Sequence, residues 1–225
     1  MDRASGTAAP LGRSLTEPDR GWRRWNLVAL GVGVVVVALT TLAARAELTA
    51  LEINLFRAVN ELADQIRVVV WPFMQYGTFI TIPILAVVAL LFRRVRLAIA
   101  FVLAGVGVYL IALVVKQIVE RGRPDALLDG VEGREVFGPH SLGFPSGHAA
   151  VAAALTAVIA AHLGARWAAA AAALGAFVLF GRLYVGAHLP LDIIGGAALG
   201  VVAGTVVNLL VPPRGRLRSW TTRSS

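Results

Sequence analysis

Long uninterrupted apolar runs set the terms on which this chain can fold. The first is Leu27 to Ala44, and others follow at about 68 to 92, 97 to 115, 149 to 163, 167 to 181 and 191 to 211. A helix rises about 1.5 Å per residue, so roughly 20 apolar residues cross ~30 Å of hydrocarbon. Six such runs in 225 residues leave room for little else. The composition, 57% hydrophobic and 15% charged with a mean hydropathy of +0.74, lies outside the range of soluble globular chains. The expectation is an all-α integral membrane bundle of six transmembrane helices.

Residues 1–25 are polar, carry Pro10, Pro18 and five arginines, and lack apolar periodicity, so they read as a disordered tail. Residues 26–212 then form one membrane domain and 213–225 a second basic tail. Ala44-Arg45-Ala46 resembles a signal-peptide cleavage site, but the long apolar core before it favours an uncleaved span. Leu48 to Asp64 alternates apolar residues (Leu51, Leu55, Phe56, Val59) with acidic ones, the pattern of an amphipathic helix lying on the membrane as a structural collar. Ala149 to Ala154 and Ala168 to Ala173 are nearly all alanine, which permits close helix contact and places both segments in the packed centre.

Basic residues near span ends are retained on the cytoplasmic side. Arg20, Arg23 and Arg24 precede the first span, Arg93, Arg94 and Arg96 follow the second, Arg166 lies between the fourth and fifth, and Arg214, Arg216 and Arg218 follow the sixth. All four groups agree: both termini are expected in the cytoplasm, and the loops at 116–148 and 182–190 outside. The absence of cysteine excludes disulfides, thiolate metal sites and cysteine nucleophiles. The net charge of +8 fits inner-leaflet anchoring plus an anion site. Nucleic acid is not expected as a partner, because no basic stretch is interleaved with aromatics.

The two outward loops hold nearly every unusual polar residue of the apolar half. Ionisable groups at span ends are costly to desolvate and are functional candidates for that reason. Lys116, Arg121, Arg123 and Pro124 form the first cluster. Lys116 alone reads equally as a snorkelling side chain, but a compact ammonium with a guanidinium fork suits a phosphate. Gly143-Phe144-Pro145-Ser146-Gly147-His148 opens the fourth span: Ser146 can cap the helix, and the N–H groups of the first turn make an anion seat. Arg182 closes the fifth span, and His188, Pro190 and Asp192 open the sixth. Residues 188 and 192 stand one helical turn apart, so the carboxylate can reach the imidazole and leave the other ring nitrogen outward as a nucleophile. A lone His-Asp pair could equally be structural; with three basic residues and a second histidine it becomes an active-site hypothesis.

Lys116 with six residues to Arg123-Pro124, then Pro145-Ser146-Gly147-His148, then Arg182 with five residues to His188 and three to Asp192, resembles the three-part signature of the type-2 phosphatidic acid phosphatase family. The resemblance covers roughly residues 70 to 210, and Tyr184, Gly186 and Pro190 fit it too. It implies that Lys116, Arg123 and Arg182 hold the phosphate, with Ser146 and the Gly147 N–H adding hydrogen bonds. His188 is implied as the nucleophile, His148 as acid and then base, and Asp192 as the group that orients His188. The three cations would stabilise the phosphoryl oxygens, so no metal and no cofactor is expected. One departure is Gly181, where the family usually has Ser: a lost neutral hydrogen bond of about 0.5–1.5 kcal/mol should weaken binding or shift substrate choice without abolishing catalysis.

The resemblance thus implies a membrane lipid-phosphate phosphatase working through a phosphohistidine. Candidate substrates are a polyprenyl diphosphate such as undecaprenyl diphosphate, phosphatidate and phosphatidylglycerophosphate, the first ranked slightly ahead on orientation. Vanadium-dependent haloperoxidases resemble the same motifs but are soluble. A non-catalytic lipid-phosphate binding or transport protein is the alternative of a different class; it would not need His148, His188 and Asp192 together. His140, Arg134 and Glu135 in the outer loop, and His162 at the far end of the fourth span, receive no catalytic role.

Overall fold

A computed structural model describes residues 17–136, 138 and 141–213, with side chains from residue 21 onward. Most of both expected tails, and His140, lie outside the described residues. Helix α1, Glu17–Ala44, starts inside the first of those tails, so the span is preceded by helical turns. There follow α2 (Ala50–Asn60), α3 (Arg67–Met74), α4 (Thr81–Leu91), α5 (Val95–Val119), α6 (Pro124–Leu127), α7 (Gly147–Leu163), α8 (Ala165–Tyr184) and α9 (Pro190–Leu210). Among the described residues four helices, α1, α5, α8 and α9, are long and apolar enough to cross a membrane.

The second apolar run is not one straight span. The segments Asp64–Gly77 and Thr81–Leu91 meet at 68°. The hydroxyls of Thr78 and Thr81 both donate to the carbonyl of Gln75, at 2.6 and 2.7 Å, and so take up the acceptor that a continuing helix would use. Pro83, which has no N–H, falls in the first turn of α4, where none is needed. Gly77 lets this break press against α7: a Cβ there would lie 2.7 Å from the His148 carbonyl.

The centre of the bundle is α7, whose Ala149, Ala150, Val151, Ala152, Ala154, Leu155 and Val158 are all buried. It packs against α9 along Gly196, Gly200 and Gly204, one residue per turn. A Cβ at Gly200 would collide with the Ala150 carbonyl, and one at Gly204 would come within 2.7 Å of the Ala157 Cβ. Such small-residue stripes let backbones approach where lipid removes any hydrophobic drive for association. The alanine run of α8 behaves differently from expectation. Ala171 is buried but Ala169, Ala170, Ala172 and Ala173 are exposed, because α8 meets α7 on one face only, where Ala171 and Gly175 face Thr156.

Candidate active site

The polar clusters meet at one end of the bundle because chain direction alternates. Lys116 lies in the last turn of α5, His148 in the first of α7, Arg182 in the last of α8, and Asp192 in the first of α9. A left-handed turn at Glu120 (φ 53°) ends α5 and folds the chain back over that end. Gly122 then pairs with Leu142 as an antiparallel bridge, and the Gly143 N–H donates to the Arg121 carbonyl at 2.7 Å. The Ser146 N–H donates to the Asp192 carbonyl at 2.9 Å. Three motifs far apart in sequence are thus stitched together by backbone alone. Gly143 makes this possible: a Cβ there would be 2.7 Å from the Gly122 carbonyl and 2.9 Å from Asp192 Oδ2.

Lys116 Nζ donates to the carbonyls of Leu142 and Gly143, at 2.8 and 3.0 Å, and Arg123 Nη1 to that of Ala187, at 2.8 Å. Lys116 and Arg123 are therefore each steadied by the backbone of another motif. Ser146 is fully buried and its hydroxyl caps α7, accepting from the Ala149 N–H at 3.4 Å. The space beyond Gly147 is open, with nothing within 4 Å of where a Cβ would stand, so its backbone can be approached by a ligand.

His188 is 2% exposed and Asp192 is fully buried. Their side chains lie close but are not hydrogen-bonded: Nδ1 to Oδ2 is 3.7 Å, and Nδ1 has no hydrogen-bond partner. Asp192 instead accepts the Leu189 N–H at 2.9 Å and pairs with Arg121 at 2.9 Å. Arg121 pairs in turn with Glu52 at 2.8 Å, and Glu52 accepts the Leu191 N–H at 3.1 Å. Burial pushes the His188 imidazole well below its usual 6.5, and Arg182, Lys116 and Arg123 push it further the same way. Those three cations therefore bear on the imidazole through their charge, whereas Arg121 is committed to the carboxylates behind it.

Arg182 is 2% exposed and contacts the Met74 sulfur at 3.6 Å. It forms an ion pair with Glu135 at 2.8 Å. Burial, and then the charge of Arg182, lower the Arg123 guanidinium below its usual value, while Glu135 works against that shift. Gly181 faces α3 tightly: a Cβ there would stand 3.0 Å from Val70 Cγ1 and 3.1 Å from Met74 Sδ.

Glu52 and Glu135 were given no part in the site by the sequence. The pattern held one usable signal for the first: Glu52, Phe56 and Asn60 follow one another turn by turn and form the buried face of α2, while Leu51 and Leu55 point outward. His162 lies at the opposite end of the bundle, beside Arg94, Arg96 and Pro213. Among the described residues no group of three or more His, Asp or Glu side chains is placed to hold a metal ion.

An all-helical bundle with histidines and cations gathered at one end is the framework of a membrane phosphatase class, and comparison with known proteins gives it a family. Residues 95–216 match the PAP2 superfamily, and the chain belongs to it. The crystal structure of Aquifex aeolicus LpxE is similar with a TM-score of 0.65 at 26% identity, over 71% of this chain and 95% of that one. That of a transmembrane PAP2-type phosphatidylglycerolphosphate phosphatase from Bacillus subtilis gives 0.64 at 20% identity, over 86% and 98%. The second likeness speaks for the fold alone. A search of curated proteins found no match.

Proposed function

We propose that this chain is a membrane lipid phosphatase that hydrolyses a lipid phosphomonoester or diphosphate through a phosphohistidine at His188. The observation that carries this reading is that Lys116, Arg123 and Arg182 stand at the same end of the bundle as the buried His188, with Arg123 bonded at 2.8 Å to the carbonyl of Ala187 next to it. Asp192 stands on the Nδ1 side of His188, which leaves Nε2 as the attacking nitrogen. The cations hold the phosphoryl oxygens in line for attack and stabilise their charge as bonding changes.

In the first step Nε2 bonds to the terminal phosphorus, the bond from that phosphorus to the leaving oxygen (the lipid oxygen of a monoester or the bridging oxygen of a diphosphate) breaks, and His148 gives that oxygen a proton. In the second step His148 takes a proton from water, the water oxygen bonds to phosphorus, and the phosphorus–nitrogen bond breaks to release phosphate. The charge supplied by Lys116, Arg123 and Arg182 makes the reaction metal-independent. The six-span count follows if the bent pair α3 and α4 and the 17-residue α7 each count as a span beside the four longer helices. The gathering of Arg94 and Arg96 at the opposite end supports a site on the extracytoplasmic side of the cell membrane. That placement ranks a polyprenyl diphosphate ahead of phosphatidate and phosphatidylglycerophosphate.

The test is phosphate release by the purified full-length protein in detergent from these three lipids, with excess EDTA. Turnover of at least one is expected in EDTA. Tight binding of all three without turnover would identify a lipid-phosphate carrier instead.

A further inference from the structure

Glu135 reaches the arginine assigned to substrate phosphate, and the loop that carries it is firmly held. Its neighbour Arg134 donates to the carbonyls of Asn60 and Tyr184, both at 2.7 Å, and to that of Leu62 at 2.8 Å. The Arg134 guanidinium also pairs with Asp64 at 2.7 Å and covers the Tyr184 ring at 4.2 Å. Two residues earlier, Asn60 brackets Glu132, accepting its N–H at 2.9 Å and donating to its carbonyl at 3.0 Å. The loop is thus stapled to α2 and to the end of α8 up to residue 134. Glu135 then places both carboxylate oxygens on Arg182 Nη1, at 3.0 and 2.8 Å.

We propose that Glu135 is a resident competitor: its carboxylate occupies Arg182 in the empty site, must be displaced by the substrate's phosphate, and so sets the affinity of the site for phosphate. A carboxylate and a phosphoryl oxygen are equivalent acceptors for a guanidinium, so the two cannot both hold the same N–H. The side chains differ in exposure, 2% for Arg182 and 18% for Glu135, so the carboxylate is the partner that can swing out to water. Its influence extends to Arg123, whose guanidinium it also acts on. A dianionic phosphate gains more from the two arginines than a single carboxylate does, which favours exchange on substrate entry. The same carboxylate then helps to expel the product. This inference rests on the reading of the site as a phosphate site.

The experiment is calorimetric titration of the full-length protein in detergent with inorganic orthophosphate, which needs no turnover. Glu135→Gln keeps the shape and removes the charge, and Glu135→Ala removes both; each should bind orthophosphate about tenfold more tightly than the wild type, equivalent to about 1.4 kcal/mol. If Glu135 merely positions Arg182, both variants will bind more weakly. Weaker, unchanged or undetectable binding in both overturns the proposal. Unchanged binding with intact lipid hydrolysis sinks the competitor and leaves the phosphatase standing. Tighter binding in the variants with no hydrolysis by the wild type does the reverse.

Discussion

Oδ2 of Asp192 lies 3.7 Å from Nδ1 of His188, yet its hydrogen bond, 2.9 Å long, goes to the backbone N–H of Leu189. The carboxylate thus fixes the start of α9 as well as standing behind the imidazole. Its other oxygen faces Arg121, which Glu52 holds from the far side. The site is backed by a buried carboxylate–guanidinium–carboxylate chain anchored in α2.

That chain makes the first prediction. Both ends of the Arg121–Glu52 pair are 5% exposed, and breaking a buried pair from one side costs about 3–5 kcal/mol. Glu52→Leu should therefore lower the thermal unfolding midpoint in detergent markedly, and Arg121→Leu likewise. The Glu52→Leu, Arg121→Leu double variant should lose less than the sum of the singles. Additive losses would show that the two side chains act independently.

The second concerns pH. The unfolded chain protonates His188 near 6.5, whereas the folded protein holds it neutral well below that value. Between the two the unfolded state binds more protons, so this group makes stability fall as pH drops below about 6.5. Unfolding midpoints measured from pH 7 to 5 should decline, and His188→Asn should flatten the decline. An identical slope in the variant would count against a buried neutral His188.

Gly181 supports the third prediction. A side chain at this position would press on Val70 at 3.0 Å and on the sulfur of Met74 at 3.1 Å, and Met74 in turn touches Arg182 at 3.6 Å. The missing serine is thus accompanied by a thioether on the same arginine. Gly181→Ser should raise KM severalfold by displacing Met74. Combined with Met74→Ala the effect should shrink, with a coupling of roughly 1 kcal/mol. Purely additive KM changes would mean that residues 74 and 181 do not share a role.

The fourth tests orientation. The chain has no cysteine, so single cysteines can be introduced without background. A cysteine at residue 130 should react with an impermeant thiol reagent in intact cells and one at 95 only after lysis. Labelling at 95 in intact cells would invert the topology.

The helices were legible because apolar runs and caps are local: Ser146 before α7 and Pro190 at the start of α9 mark true boundaries. The motif spacings placed Lys116, Arg123, His148, Arg182 and His188 on neighbouring ends. The bend between α3 and α4 was not legible, since two threonine hydroxyls sharing one carbonyl leave no mark in hydropathy. Nor was the exposure of the α8 alanines, which pack equally well against protein or lipid. Glu52 and Glu135 escaped because their partners, Arg121 and Arg182, lie 69 and 47 residues away, and long-range pairing has no sequence period.

In the proposed reaction His188 carries the phosphoryl group while His148 moves protons. Rapid-quench trapping of labelled phosphate from an aryl phosphate tests it in both alanine variants. His188→Ala should form no acid-labile, base-stable phosphoenzyme and show no turnover. His148→Ala should still form it from a good leaving group and release it slowly, with activity reduced about 10²- to 10⁴-fold. A phosphoenzyme in His188→Ala, or equal residual rates in the two variants, would contradict the assignment.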